Sequence, residues 1–223
     1  MRLIISLLMV LSIFLGGCQM SEENQTTDPA KVDAENLPSV RAFEDKFTRE
    51  FLQSIEETRD GYYPFKSKTN HYVMDFPEGG LVGERGYSLQ DNSESYLVGV
   101  EGEDTDSQIS IKYLGFMKHE FKDSRIETLI DSSEATLKFD TKDLDDRSIS
   151  TAFFKEDNGY FGYVGLIQNS IGNGAVEVTY TSECKENVSK CEEVMNREKN
   201  IILDWIHSIK FINENGREET DGE

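Results

Sequence analysis

A chain of 223 residues, 37% hydrophobic and 10% aromatic, is long and apolar enough for one domain with a sizeable core, which excludes a disordered protein. Its formal net charge of −20, from 43 acidic and 23 basic residues, repels nucleic acid and anionic headgroups and so excludes a nucleic-acid-binding role. The acidity reads as solubility beside a charged envelope rather than as a code for one partner.

Met1-Arg2 and an apolar run from Leu3 to Leu15 end in Leu15-Gly16-Gly17-Cys18. A basic start, a short apolar core and small residues before a cut site are the marks of an export signal, and the run falls short of the about 20 residues a spanning helix needs. Residues 1–17 are therefore expected to be a lipoprotein signal peptide, with cleavage before Cys18 and acylation of its thiol. Each buried acyl methylene contributes about 0.8 kcal/mol. The mature chain is expected at the cell membrane, lipid-anchored on the extracytoplasmic face. Residues 18–37, rich in Glu, Asp, Thr and Asn, read as an acidic flexible tether.

Val40, Phe43, Phe47, Phe51 and Ile55 recur every three or four residues, so 38–60 is expected as an amphipathic helix packed on the domain and ended by Asp60-Gly61. The globular domain is expected over 61–214. Tyr72, Met74 and Phe76 alternate, as do Ile109, Ile111 and Tyr113, which is the pattern of strands with one buried face in a meander. Ser124-Arg125-Ile126-Glu127 offers a capping box for a helix over 124–136, and Asp140 to Asp146 reads as an acidic loop. Asp157-Asn158-Gly159 joins Ile149–Glu156 to Tyr160–Gln168 as a hairpin, and Ala175–Thr181 is the next strand. An apolar stripe through Val188, Cys191, Val194, Met195, Ile201, Ile202, Trp205, Ile206 and Ile209 predicts a long closing helix, with Trp205 in the core. Residues 215–223 read as a disordered acidic tail. The fold class expected is α+β, an antiparallel sheet flanked by helices in the order helix, three or four strands, helix, three strands, helix.

Little in this chain points to chemistry. Cys184 and Cys191, in an exported chain, pair most simply as a local disulfide; free thiols are the alternative. His71, His119 and His207 are scattered, and His119-Glu120 lacks the second histidine of a zincin helix. Ser182-Glu183-Cys184-Lys185 matches S-x-x-K without its companion motifs, and no nucleophile elbow, Walker loop or dinucleotide fingerprint is present. Asp143, Asp145 and Asp146 are candidate calcium ligands, and Glu103, Asp104 and Asp106 form a second acidic group; both are more simply solvated loop charge. Tyr62, Tyr63, Phe65, Phe153, Phe154, Tyr160, Phe161 and Tyr163 supply either core or an exposed platform for glycan or peptide. No cofactor and no catalytic residue is expected.

Leu37-Pro38 through Phe43, Thr48-Arg49-Glu50, Gly61-Tyr62-Tyr63, Phe76-Pro77-Glu78, Phe161-Gly162-Tyr163 and the late cysteine pair resemble the YvcA-like lipoproteins of Bacillus-type bacteria. The approach to Phe76-Pro77, the antiparallel strands and the final helix ending in Ile209-Lys210-Phe211 are similar to the PsbP-like α/β/α sandwich. The resemblance implies a fold used mainly for accessory and binding roles, and fold analogy alone says little of function. The leading expectation is a non-enzymatic accessory protein anchored through its N-terminal lipid, with an envelope protein as partner. An envelope enzyme acting on wall or lipid material, recognisable by two carboxylates facing one pocket, is the first alternative. A small solute-binding lipoprotein is the second.

Overall fold

The computed structural model describes residues 26–133, 135–185 and 190–212. The signal peptide, Cys18, the first part of the expected tether, Val188 and the expected tail lie outside the described residues. In chain order come α1 (Arg41–Glu44), α2 (Lys46–Arg49), β1 (Tyr62–Lys66), β2 (Tyr72–Pro77), β3 (Gly80–Val82), β4 (Ser88–Gln90), β5 (Ser93–Glu101) and β6 (Thr105–Leu114). Then follow α3 (Lys122–Asp131), β7 (Asp140–Asp143), β8 (Arg147–Lys155), β9 (Phe161–Asn169), β10 (Ala175–Cys184), α4 (Cys191–His207) and β11 (Lys210–Phe211).

The strands make two antiparallel sheets. The large one runs β3-β5-β6-β10-β9-β8-β7, with β4 also on β5, and the small one runs β1-β2-β11. This is the α+β class expected, an antiparallel sheet flanked by helices. It is not a plain meander, because β10 lies between β6 and β9 and is antiparallel to both. That insertion depends on pairing across a long stretch of chain, which no local pattern encodes.

One face of the large sheet meets the small sheet, α1 and α4. Tyr96, Val98, Ile109, Ile111 and Tyr113 point there, against Tyr72, Met74 and Phe76 of β2. α4 adds Ile202, Trp205 and Ile206, all 1% exposed or less, and each such side chain contributes about 1.5–3 kcal/mol of burial. The Trp205 indole N–H also donates to the Asp75 carbonyl at 2.8 Å, tying α4 to β2. On the opposite face α3 and Leu137 cover one end only, resting on Leu114, Leu166, Ala152 and Val164. β9 therefore buries both its faces, and the aromatics there divide: Phe161 joins the main core and Phe154 the smaller cluster.

Several local expectations are corrected. The expected helix over 38–60 is two single turns, because Asp45 is extended (φ −89°, ψ 126°) and its carboxylate accepts from the Thr48 N–H and hydroxyl, capping α2. Beyond α2 the chain straightens, with the Gln53 and Lys66 N–H groups donating to the Pro64 and Phe51 carbonyls. Residues 26–37 of the expected tether lie against the domain: Pro29 is buried and the Ile55 N–H donates to the Thr27 carbonyl at 2.8 Å.

α3 has no capping box, since the Ser124 hydroxyl donates to the Phe121 carbonyl and leaves the helix N–H groups without a side-chain cap. Asp140–Asp143, expected within a loop, pairs with Ser148–Thr151 as an edge strand whose side chains all face solvent, the charged form that discourages further pairing. The β8–β9 loop has positive φ at Gly159 (+95°) but not at Asn158, so the turn is the three-residue kind rather than the tight two-residue one.

Candidate functional site

β5, β6 and β10 carry opposite chemistry on their two faces because the side-chain period of a strand is two. Inward go Tyr96, Ile109, Ile111, Val176 and Val178; outward go Leu97, Gln108, Ser110, Lys112 and Thr179, all exposed. The turn at Glu84–Gly86 comes beside Leu97, and α3 reaches the neighbouring Glu177 through Arg125. At the end of it nearest the β8–β9 loop is an open cleft of about 450 Å³ lined by Asp106, Gln108, Glu156, Tyr160, Thr181 and Glu183.

Gly159 turns the chain so that Tyr160 stands at this rim, and the Tyr160 N–H donates to Asn158 Oδ1 at 3.1 Å. The residue is 36% exposed. A hydrogen bond to the Glu183 carboxylate raises the phenol's pKa, because ionising it would set two negative charges side by side. Three carboxylates and a phenol at an open rim suit a cationic or hydroxyl-rich ligand. They are exposed rather than sequestered, and Asp106 also lies 3.6 Å from the Lys185 ammonium.

The other residues singled out from the sequence fall elsewhere. Asp143 is exposed beside Lys122 at 3.7 Å, Asp145 sits in the turn after β7, and Asp146 pairs with Arg147. Among the described residues no group of three or more His, Cys, Asp or Glu could hold a metal ion. Asp104 reaches Arg197 of α4 at 2.6 Å. Ser182 is buried with its hydroxyl 2.7 Å from that of Ser107, while the Lys185 ammonium donates to the Gly102 carbonyl, so the S-x-x-K residues do not converge. His71 stacks on Tyr113, and burial, with Lys142 nearby, lowers the pKa of His207. Cys184 and Cys191 are joined as a disulfide.

Sequence reasoning missed a second constellation, between α2 and the β1–β2 turn. Glu94 is 1% exposed, and its carboxylate accepts from the Lys68 and Thr69 N–H groups, the Thr69 hydroxyl and the Tyr87 hydroxyl. Burial, helped by the Glu94 charge, pushes the Tyr87 phenol far above its ordinary pKa. The Lys68 ammonium lies over Phe47, Phe51 and Tyr87 and pairs with Glu50 at 2.6 Å. A signal for Glu94 was present: it stands in phase with the buried Tyr96 and Val98, a carboxylate at a core position.

Comparison with known proteins adds family. The family described as "Putative lipoprotein YvcA" matches residues 38–210. The Bacillus subtilis (strain 168) protein of that name is 30% identical over 233 aligned residues, covering 93% of this chain and 94% of its own. Among solved structures, the Saccharomyces cerevisiae Ran-binding protein Mog1p is similar at a TM-score of 0.45 and 11% identity, over 69% of this chain and 97% of its own. The family match runs from before α1 to the start of β11, and the chain belongs to the YvcA/Mog1p family.

Proposed function

We propose that this protein is held by an acylated Cys18 on the extracytoplasmic face of the cell membrane and there serves a non-catalytic, accessory role by binding an envelope protein. Leu15-Gly16-Gly17-Cys18 and the lipoprotein name of the relative support the anchor. The docking of residues 26–37 shortens the free reach: the eight steps from Cys18 to Thr26 span at most about 28 Å, so the domain works close to the bilayer.

The observation that carries the binding role is the exposed polar face of β5, β6 and β10, whose rim holds Asp106, Glu156 and Glu183. That charge suits a basic segment on the partner. A photo-cross-linking residue at Gln108 or Thr181 tests it in cells, with Asn200 on α4 as the control position. One envelope protein should be captured from the open face alone, and the adduct should disappear with Glu156→Lys plus Glu183→Lys. Equal labelling from Asn200, or none from the open face, sinks the reading.

An envelope enzyme remains the second reading because three carboxylates do line one cleft. It requires a hydrolytic activity on wall or lipid material that Glu183→Gln abolishes while the fold survives.

A further inference from the structure

Phe47, Phe51 and Tyr87 stand pairwise edge-to-face, with centroids 5.4 to 5.7 Å apart, and form the walls of a box. Inside it the Lys68 ammonium lies 4.4, 4.7 and 5.3 Å from the three ring centroids. Glu50 closes the opening with a carboxylate oxygen 2.6 Å from that ammonium. Rings plus one carboxylate around a cation is the chemistry that recognises organic ammonium groups.

The walls are held independently of Lys68. Phe51 is fully buried and stacks on Phe65 at 5.1 Å, and the Tyr87 hydroxyl is fixed on Glu94. Lys68 is held at its backbone, where its N–H donates to Glu94, and at its ammonium by Glu50 and the three rings. Its side chain is 27% exposed, and beside it lies an open cavity of about 540 Å³ lined by Glu50, Gln53, Lys66, Lys68, Asn70 and Leu89. Displacing the ammonium therefore breaks contacts of the Lys68 side chain alone, and the adjacent cavity gives space for it.

We propose that Phe47, Phe51, Tyr87 and Glu50 form a binding site for a quaternary ammonium group, and that Lys68 is its resident, displaceable occupant. A primary ammonium is strongly hydrated and gains by returning to water, whereas a trimethylammonium head gives up little hydration on entering the rings. Lys68 thus acts as an internal competitor that sets a threshold concentration for the ligand. The Lys66 ammonium at the cavity rim opposes entry and Glu50 favours it. The protein's overall negative charge adds a long-range pull on cations.

The test is titration of full-length protein carrying Cys18→Ala with choline chloride, followed by calorimetry, with circular dichroism to verify the fold of each variant. Lys68→Ala should bind choline about tenfold more tightly than the parent, and adding Phe47→Ala should abolish binding. Equal affinity with and without Lys68, or binding that survives Phe47→Ala, overturns the proposal. A second readout needs no cage mutation: choline should raise the rate at which an amine-acylating reagent modifies Lys68 several-fold, and an unchanged rate overturns it too. Vesicles of phosphatidylcholine against phosphatidylglycerol separate the sources. Retention on the former only, lost with Phe47→Ala, assigns a lipid headgroup, whereas choline binding without vesicle retention assigns a free solute.

Discussion

The hydroxyls of Tyr72 and Tyr96 meet at 2.7 Å in the interior, one from β2 of the small sheet and one from β5 of the large. Both rings are 2% exposed or less, so this polar contact joins the two sheets in the interior, near the buried Glu94. It fixes how the sheets sit on each other, since each hydroxyl would otherwise be a buried orphan.

Replacing one of the pair by phenylalanine should cost more than replacing both. Tyr96→Phe strands the Tyr72 hydroxyl and is expected to destabilise by about 1–2 kcal/mol, while the double variant should lose less than the sum of the single ones. Urea denaturation of the four proteins checks this, and strict additivity would show that the contact contributes nothing specific.

The tyrosines also set an alkaline limit. All nine have phenols raised above their ordinary pKa, Tyr113 to about 12, chiefly by burial and in Tyr160 by Glu183. The folded state then holds protons that the unfolded chain releases near its ordinary value of about 10, so stability is complete below that pH and falls as pH rises through it. Phenolate absorbance is expected to lag the free-tyrosine curve and then rise together with loss of the circular dichroism signal. A normal titration in a still-folded protein contradicts it.

α3 is the least buried helix, with no residue fully enclosed, and its hold on the sheet centres on Arg125 and Glu177. The guanidinium grips the carboxylate with two N–H groups, and the Glu177 side chain is only 10% exposed. Arg125→Ala leaves that carboxylate without its cation and is expected to cost about 2 kcal/mol. Hydrogen exchange should quicken over Lys122–Asp131 ahead of the sheet, and uniform exchange across both would argue against the ion pair as the anchor.

The parts of this fold legible in the sequence are those where one element buries one face. β2 and β6 display their alternation, and α4 its stripe through Trp205. α1 and α2 were illegible for a specific reason: Phe43, Phe47 and Phe51 keep helical spacing while Asp45 interrupts the helix to cap the next turn. The Lys68 box is harder still, since its walls come from α2, the segment after it and the residue just before β4, and only the tertiary fold brings them together. The open face was half legible. Gln108, Ser110 and Lys112 announce a polar side to β6, but their exposure follows from where α3 stops.

Cys184 ends β10 and Cys191 begins α4, so their disulfide ties the last strand of the large sheet to the helix that packs across it. The loop it closes is short, with a sequence separation of 7, and constraining a loop of that size in the unfolded chain contributes about 2 kcal/mol. Reduction should therefore lower the melting temperature without abolishing the fold, because Val194, Met195, Ile202, Trp205 and Ile206 still bury α4. Its effect should be local at first: the N-terminal turns of α4, where Glu192 and Glu193 are exposed, fray before the Trp205 end. Peptide mapping without reductant should recover the two cysteines as one linked fragment. Thermal melts of the native protein and the Cys184→Ser/Cys191→Ser pair should then differ by that increment. Two alkylatable thiols, or identical melts, would mean that the strand and helix are held by packing alone.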